Sequence, residues 1–194
     1  MRARLLDATI ACLAERGYGA MSTNDVVRRA RVSRGALAHH FPTKADLVSA
    51  AAERLLDERA AQFRRHFGAI APSRRTPAEA LTVLWSFYDD DPGCLALIEL
   101  IVAARTRPEL RAVLADTPGR INELTREVFA EFFPQLAGLP FVDVALRTVH
   151  LVFAGLALDA IVDRDAAAAS LEVRTVLQAL AANLESSAPT RRTT

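Results

Sequence analysis

The stretch SRGALAHHF, residues 33–41, sets one arginine and two histidines beside Gly35, Ala36 and Ala38, residues of almost no side-chain volume. Three chemistries use such residues: metal ligation, general acid–base or nucleophilic catalysis, and contact with a polyanion. On a helix the adjacent His39 and His40 point about 100° apart, and no Glu or third His stands three or four residues from either, the spacing that helical zinc sites use. Nucleophilic catalysis is no better supported, because Ser33 sits where a helix cap is needed and no Asp orients either ring. Contact with a surface fits all the residue types at once. Small residues let a helix backbone lie close to a groove, Arg34 can reach guanine or a phosphate, and His39 can donate to a base edge or a phosphate.

That reading needs elements to carry it. Ser22, with Asp25 three residues later, opens a short helix through about Ala30, with Val26, Val27 and Ala30 apolar. Arg31, Val32 and Ser33 make a three-residue turn, and Ser33 caps a second short helix with Leu37 and Phe41 at i, i+4, stopped by Pro42. Residues 22–41 thus have the spacing of a helix-turn-helix. Val26, Ala30, Val32, Leu37 and Phe41 lock its two helices together, leaving Arg34, Gly35, Ala38 and His39 on the outer face. Before it, Leu6, Ile10 and Leu13 recur at helical spacing, with Gly17 as a left-handed stop. After it, Thr43 caps a longer helix carrying Leu47, Ala50, Ala51, Arg54 and Leu55 to about His66.

Charge is placed accordingly. The net charge of +1 hides an asymmetry: residues 1–66 hold 12 Lys and Arg against 7 Asp and Glu, or +5, and residues 67–194 hold 12 against 16, or −4. The basic end is the candidate for a polyanionic partner. All basic residues but Lys44 are Arg, so composition alone explains their type; it does not explain their position.

The proline-containing GAIAPSRRTP, residues 68–77, marks a boundary. Beyond it Pro77 starts a helix with Leu81, Leu84, Trp85 and Tyr88, Asp91-Pro92 starts another, and Ile121, Leu124, Val128 and Phe132 mark one ending near Pro134. The Asp89-Asp90-Asp91 run reads as a solvated, cap-bearing loop rather than a carboxylate pair. Two long stripes follow: Val142, Ala145, Leu146, Val149, Val152, Phe153 and Leu156, then Val173, Val176, Leu177, Leu180 and Leu184. Joined by DRDAAAAS, they suit a homodimer in which 141–163 and 171–186 of two copies form a four-helix bundle. The fold expected is all-α, with domains at 1–48 (helix-turn-helix), 49–67 (connecting helix) and 68–187 (ligand binding and dimerisation), and a disordered tail at 188–194.

Composition narrows the class further. Hydrophobic residues make up 51% and charged residues 24% of 194, as in soluble globular proteins. The most apolar runs, 94–104 and 141–162, carry Glu99, and Asp143, Arg147 and Asp159, which argues against a membrane span. No signal-peptide pattern opens the chain, so the expected location is cytoplasmic. Cys12 and Cys94 are isolated in apolar stretches and form neither a redox motif nor a zinc framework. No cofactor, metal site or catalytic residue is expected.

The run LLDATIACLAERGYGAMSTNDVVRRARVSRGALAHHFPTKADLV, residues 5–48, closely resembles the DNA-binding region of TetR-family transcriptional regulators, with ERGY, VSRGAL, HHF and TKADL in order. The helices beyond are similar to that family's ligand-binding and dimerisation domain, notably LIELIVAARTRPELR at 97–111. The resemblance implies a homodimer on a palindromic double-stranded operator, repressing transcription until a small molecule fills the C-terminal domain. It also implies phosphate contacts from Ser22 and Thr23, recognition contacts from Ser33, Arg34, Gly35, Ala38 and His39, and a phosphate clamp from Lys44. Three positions depart from the family pattern. Ala38 replaces a usual tyrosine, Arg31 a frequent glycine, and Val27 a common small residue.

For an effector, Trp85, Tyr88, Phe129, Phe133, His150 and Phe153 are available to line a site for a small apolar or aromatic molecule, with Glu99, Arg105 or His150 to orient it. Two other functions fit the same sequence: a constitutive DNA binder without effector, and a helical carrier or enzyme bearing a helix-turn-helix.

Overall fold

The computed structural model of the chain describes residues 1–89, 91–163 and 166–186, except the side chains at 166–168 and 184–186. Among these residues there are helices and no strand. The expected tail at 188–194, residues 164–165 of the expected connection and the Leu184 side chain lie outside the description.

The chain folds as two compact units, one of Met1–Arg59 with the described residues of Asp90–Ile121, the other of Ala60–Asp89 with those from Asn122 onward. This division by compactness differs from the boundaries at 48 and 67 expected from composition, because the segment after Asp91 returns to the N-terminal helices.

In the first unit, α1 (Arg2–Ala20) packs on α2 (Thr23–Ala30) and on α6 (Pro92–Ala103); α3 (Arg34–His40) follows α2, and α4 (Lys44–Gly68) begins here. Helix α7 (Pro108–Val113) and the first residues of α8 (Thr117–Phe132) complete it. Leu5, Leu6, Leu13, Val26, Leu37, Phe41, Leu47 and Val48 are buried, each contributing about 1.5–3 kcal/mol relative to exposure. Gly17 interrupts α1 with φ 71°, ψ 168°, and the chain makes one more turn before Met21. The left-handed stop expected there is thus a kink in a conformation that is essentially glycine's alone. A Cβ on Gly17 would lie 2.0 Å from Glu99 Oε1 of α6, and that carboxylate accepts the Tyr18 backbone N–H at 2.7 Å.

The second unit holds the rest of α4, α5 (Pro77–Asp89), most of α8, α9 (Val142–Val162) and α10 (Ala166–Ser186); α5 packs on both α9 and α10. Pro77 and Pro92 open their helices as expected, and Asp91 caps α6 by accepting from Gly93 N at 2.7 Å. Phe67, Phe133 and Leu136 form a buried cluster with Phe63, Phe129 and Phe132 against it.

Helix α9 departs from expectation in two ways. The stripe traced from the sequence lies inward: Val142 and Phe153 are buried, and Ala145, Leu146, Val149, Val152 and Leu156 are half-buried. A second apolar face lies outward, with Val144 69%, Leu151 65%, Leu158 41% and Val162 88% exposed. Being apolar on both sides, α9 has the length (21 residues) and mean hydropathy (1.7) of a membrane span, although only 11% of its most apolar window is buried. By length and composition alone it would pass for a span, yet it carries Asp143, Arg147 and Asp159, the charges on which the sequence argues against one.

Candidate nucleic-acid interface

The two helices of the motif start on side-chain caps. Ser22 Oγ accepts from Asp25 N (3.2 Å) while the Asp25 carboxylate accepts from Ser22 N (3.1 Å) and Ser22 Oγ (2.6 Å), a complete capping box. The Ser22 hydroxyl bond, then the backbone bond, holds the Asp25 carboxyl below the usual carboxylate range, with Arg16 and Arg28 adding to the effect. Ser33 Oγ accepts from Ala36 N at 3.1 Å, and such a cap is worth about 1 kcal/mol. The helix after the motif uses the first device again, with Thr43 and Asp46 bonded reciprocally.

Between the motif helices, Arg31 is left-handed at φ 53°, ψ 49°, which costs a non-glycine residue about 1 kcal/mol. The turn is held all the same: Val32 N donates to Val27 O at 3.2 Å, and Arg4 of α1 donates to Ala30 O and to Arg31 O. Val26 and Leu37 are buried, and Val27 is only half-buried. Arg34, Gly35, Ala38 and His39 are all exposed on one side of α3, and His40 is half-buried beside Phe41. Gly35 is in ordinary helical conformation, and a Cβ there would meet nothing closer than Ser33 Oγ at 3.9 Å. The chain itself therefore has no steric need for glycine at this position.

Partnering sorts the cations. Arg28 and Arg16 pair with Asp25, Arg29 with Glu15, Arg2 lies 5.5 Å from the Phe41 ring centroid, and Arg4 is bound to carbonyls. Arg31 and Arg34 have no carboxylate partner among the described residues. Lys44 is turned inward: its ammonium donates to Tyr18 O (2.7 Å) and Met21 O (2.6 Å) and lies 4.1 Å from the Tyr18 ring centroid. Burial, with Arg107 nearby, lowers its pKa from the ordinary lysine value. Ser22 is equally committed, both as donor and as acceptor. Thr23, half-buried, has a hydroxyl with no partner among the described residues.

The candidate effector residues do not converge on one place. Trp85, Tyr88, His150 and Phe153 come together: the Phe153 ring is edge-on to Trp85 (5.1 Å between centroids) and to Tyr88 (5.6 Å), and Tyr88 Oη lies 2.6 Å from His150 Nδ1. Phe129 and Phe133 belong to the Phe67 cluster. Glu99 is in the other unit, on the Tyr18 N–H, and Arg105 is exposed there, its carbonyl accepting from Arg111. Sequence reasoning missed Thr125, whose Oγ1 lies 2.7 Å from His150 Nε2, and put Arg174 in no site, although its guanidinium carbon lies 5.1 Å from the Trp85 ring centroid. No group of three or more His, Cys, Asp or Glu among the described residues could hold a metal.

The comparisons agree with this geometry. Residues 5–51 match the model of the bacterial regulatory proteins of the tetR family, and residues 72–183 match that of the tetracyclin repressor-like C-terminal domain. An HTH-type transcriptional regulator of Mycobacterium tuberculosis is 35% identical over 138 residues, 69% of this chain and 70% of that one. A TetR-family regulator from Rhodococcus sp. superposes with a TM-score of 0.70 at 23% identity, over 92% of this chain and 95% of that one. The multidrug binding protein EbrR, in its complex with ethidium, gives 0.64 at 27% identity, over 92% of this chain and 96% of that one. The chain is a DNA-binding transcriptional regulator with a helix-turn-helix, and it belongs to the TetR family.

Proposed function

We propose that the protein is a homodimeric repressor that reads a palindromic operator and is released from it by a small apolar or aromatic effector. It acts in the bacterial cytoplasm, where its DNA is. The observation that carries this reading is the outward face of α9. Val144, Thr148, Leu151, Gly155, Leu158 and Val162 are spaced alternately four and three residues apart and are all exposed. Such a seam is what one helix presents to another at a shallow crossing angle. Thr148 returns its hydroxyl to Val144 O at 2.8 Å, so it too offers a methyl. Exposed Leu171, Val176 and Leu180 extend the apolar surface onto α10. A second copy covers these residues with the same residues, giving a four-helix bundle and a two-fold axis. An apolar face of this length left in water would be an aggregation hazard.

A two-fold dimer brings two recognition helices to two half-sites, so a palindromic operator follows from symmetry. In each, Arg34 and His39 read base edges or phosphates, and Gly35 and Ala38 let the backbone approach. The Ser33 hydroxyl, accepting from Ala36 N, still has its own proton to donate. Around the motif, the Thr23 hydroxyl and Arg31 supply phosphate contacts in place of the committed Ser22 side chain. At the start of α4 the first-turn N–H groups of the helix take the role expected of the Lys44 ammonium, which instead pins that terminus to α1. EbrR, caught with ethidium and with imidazole at 27% and 28% identity, supports a small-molecule effector.

Gly155→Leu tests the dimer. Nothing lies within 4 Å of a Cβ at Gly155, so the larger side chain has room in the protomer and acts only at the seam, where overpacking costs about 1–3 kcal/mol. Sedimentation velocity at submicromolar protomer should show dissociation of the variant and, in parallel, loss of operator affinity. An unchanged dimer mass would reject this face as the interface.

A further inference from the structure

One donor in the second unit is left over. Trp85 is only 4% exposed, and its indole Nε1–H has no hydrogen-bond partner among the described residues. A buried donor without an acceptor is rare and costly, and an acceptor supplied from outside the chain removes the cost. Above the same indole lies the Arg174 guanidinium, 5.1 Å from the ring centroid, with no carboxylate paired to it among the described residues. Nε1 belongs to that ring, so the two donors are within about 8 Å of each other, a span that one carboxylate covers with an N–H···O contact of about 2.9 Å at each end. Phe153 packs edge-on against Trp85, and beyond it Tyr88 Oη, His150 and Thr125 Oγ1 form a hydroxyl–imidazole–hydroxyl chain with links of 2.6 and 2.7 Å. Hydroxyls donate or accept, so this chain can reverse its direction to suit a second polar atom of a ligand.

We propose that Trp85 and Arg174 form the anion-binding end of the effector site, and that the effector is an apolar or aromatic carboxylic acid. Its carboxylate accepts from Trp85 Nε1–H and pairs with Arg174, while its body lies along Phe153 toward Tyr88. The inference rests on the ligand-responsive reading given above and adds to it the charge and the anchoring group. A neutral ligand would lack the ion pair with Arg174, which is half-buried. A cationic one would be repelled by it.

The protein carries a single tryptophan, so its intrinsic fluorescence reports on this place alone. Full-length protein is titrated with benzoate and octanoate, and with benzamide and octanamide as uncharged counterparts. The acids should perturb Trp85 emission saturably, bind at least 10-fold more tightly than the amides and weaken operator binding. Arg174→Gln should reduce acid affinity at least 10-fold and amide affinity less than 2-fold, and Arg174→Lys should recover part of the loss; circular dichroism and dimer mass check that each variant is folded. Trp85→Phe, followed by calorimetry, should weaken the acids several-fold. Equal binding of acids and amides, or equal losses for both in Arg174→Gln, overturns the carboxylate assignment. If ethidium perturbs Trp85 and releases the operator while the acids do neither, the protein is ligand-responsive and the assignment is wrong. If none of these compounds changes emission or operator affinity, the effector reading falls with it.

Discussion

Replacing Gly17 by alanine should show how α6 is fastened to the kink in α1. Two penalties arise at that position. The backbone, at φ 71° and ψ 168°, lies in a region that costs a side-chain-bearing residue about 1–3 kcal/mol. The new methyl would also stand 2.0 Å from Glu99 Oε1, so the carboxylate must swing away and give up the Tyr18 N–H, a charge-assisted bond worth about 1.5–3 kcal/mol. Gly17→Ala should therefore destabilise the fold by about 3–5 kcal/mol, against about 1.5–3 kcal/mol for Glu99→Ala. With the carboxylate already gone, the methyl meets only backbone strain, and Gly17→Ala should then cost about 1–3 kcal/mol. Urea unfolding of the four proteins at one fixed protomer concentration measures the cycle. Costs that add to within about 0.5 kcal/mol would mean that the two residues are independent and that Glu99 does not sit over Gly17.

Four further outcomes are expected at the motif. Arg34→Ala should cost about 1–3 kcal/mol per half-site and relax preference at one symmetric base pair; a loss equal across all sequences would make Arg34 a phosphate contact. The wild-type dimer should lose affinity with a log–log salt slope between about −4, for two phosphates per protomer, and about −7, for four, and a slope shallower than about −2 would rule out phosphate contacts as the main source of affinity. Gly35→Ala should stabilise the free protein by about 0.5–1 kcal/mol, since the helix gains a better former, yet weaken operator binding; unchanged binding would show that the backbone does not approach DNA there. Asp25, its folded pKa held below its unfolded value by Ser22, contributes stability at all pH above the usual carboxylate pKa and loses it as pH falls through the lower folded value. NMR titration should find the Asp25 carboxyl below 3.8 and Ser22→Ala should raise it; a midpoint unmoved by the substitution would dismiss the capping box as the cause.

What could be read from the sequence was local. Ser22 with Asp25, Ser33, Thr43 and Asp91 each announce a helix start through bonds that reach two or three residues, and the outward set Arg34, Gly35, Ala38 and His39 follows from the positions of Val26, Leu37 and Phe41. Long-range partners were not legible. Glu99 meets Tyr18 across 81 positions, and nothing in its own neighbourhood distinguishes a carboxylate that caps a kink from one that orients a ligand. Lys44 looked like a free cation because its spacing says nothing about the two carbonyls and the ring that receive it. In α9 the failure was one of choice. The helix is apolar on both sides, so it carries both a 3.6-residue stripe and a seven-residue seam, and the denser stripe is the one that the structure turns inward. The spacing of Val144, Leu151 and Leu158, seven residues each, was the signal for the other.

The outward seam of α9 also has a place in time. Every residue of the first compact unit, ending at Ile121, is translated before Val142, and at about 5–20 residues per second the intervening stretch takes about 1–4 s to emerge. Helices and small helical units form in microseconds to milliseconds. The DNA-reading half therefore has time to be fully folded on the ribosome before the adhesive leucines appear. On the dimer proposed above, the face that a second copy covers is thus made only after the DNA-reading half has folded, and neighbouring ribosomes on one messenger supply that copy at high local concentration.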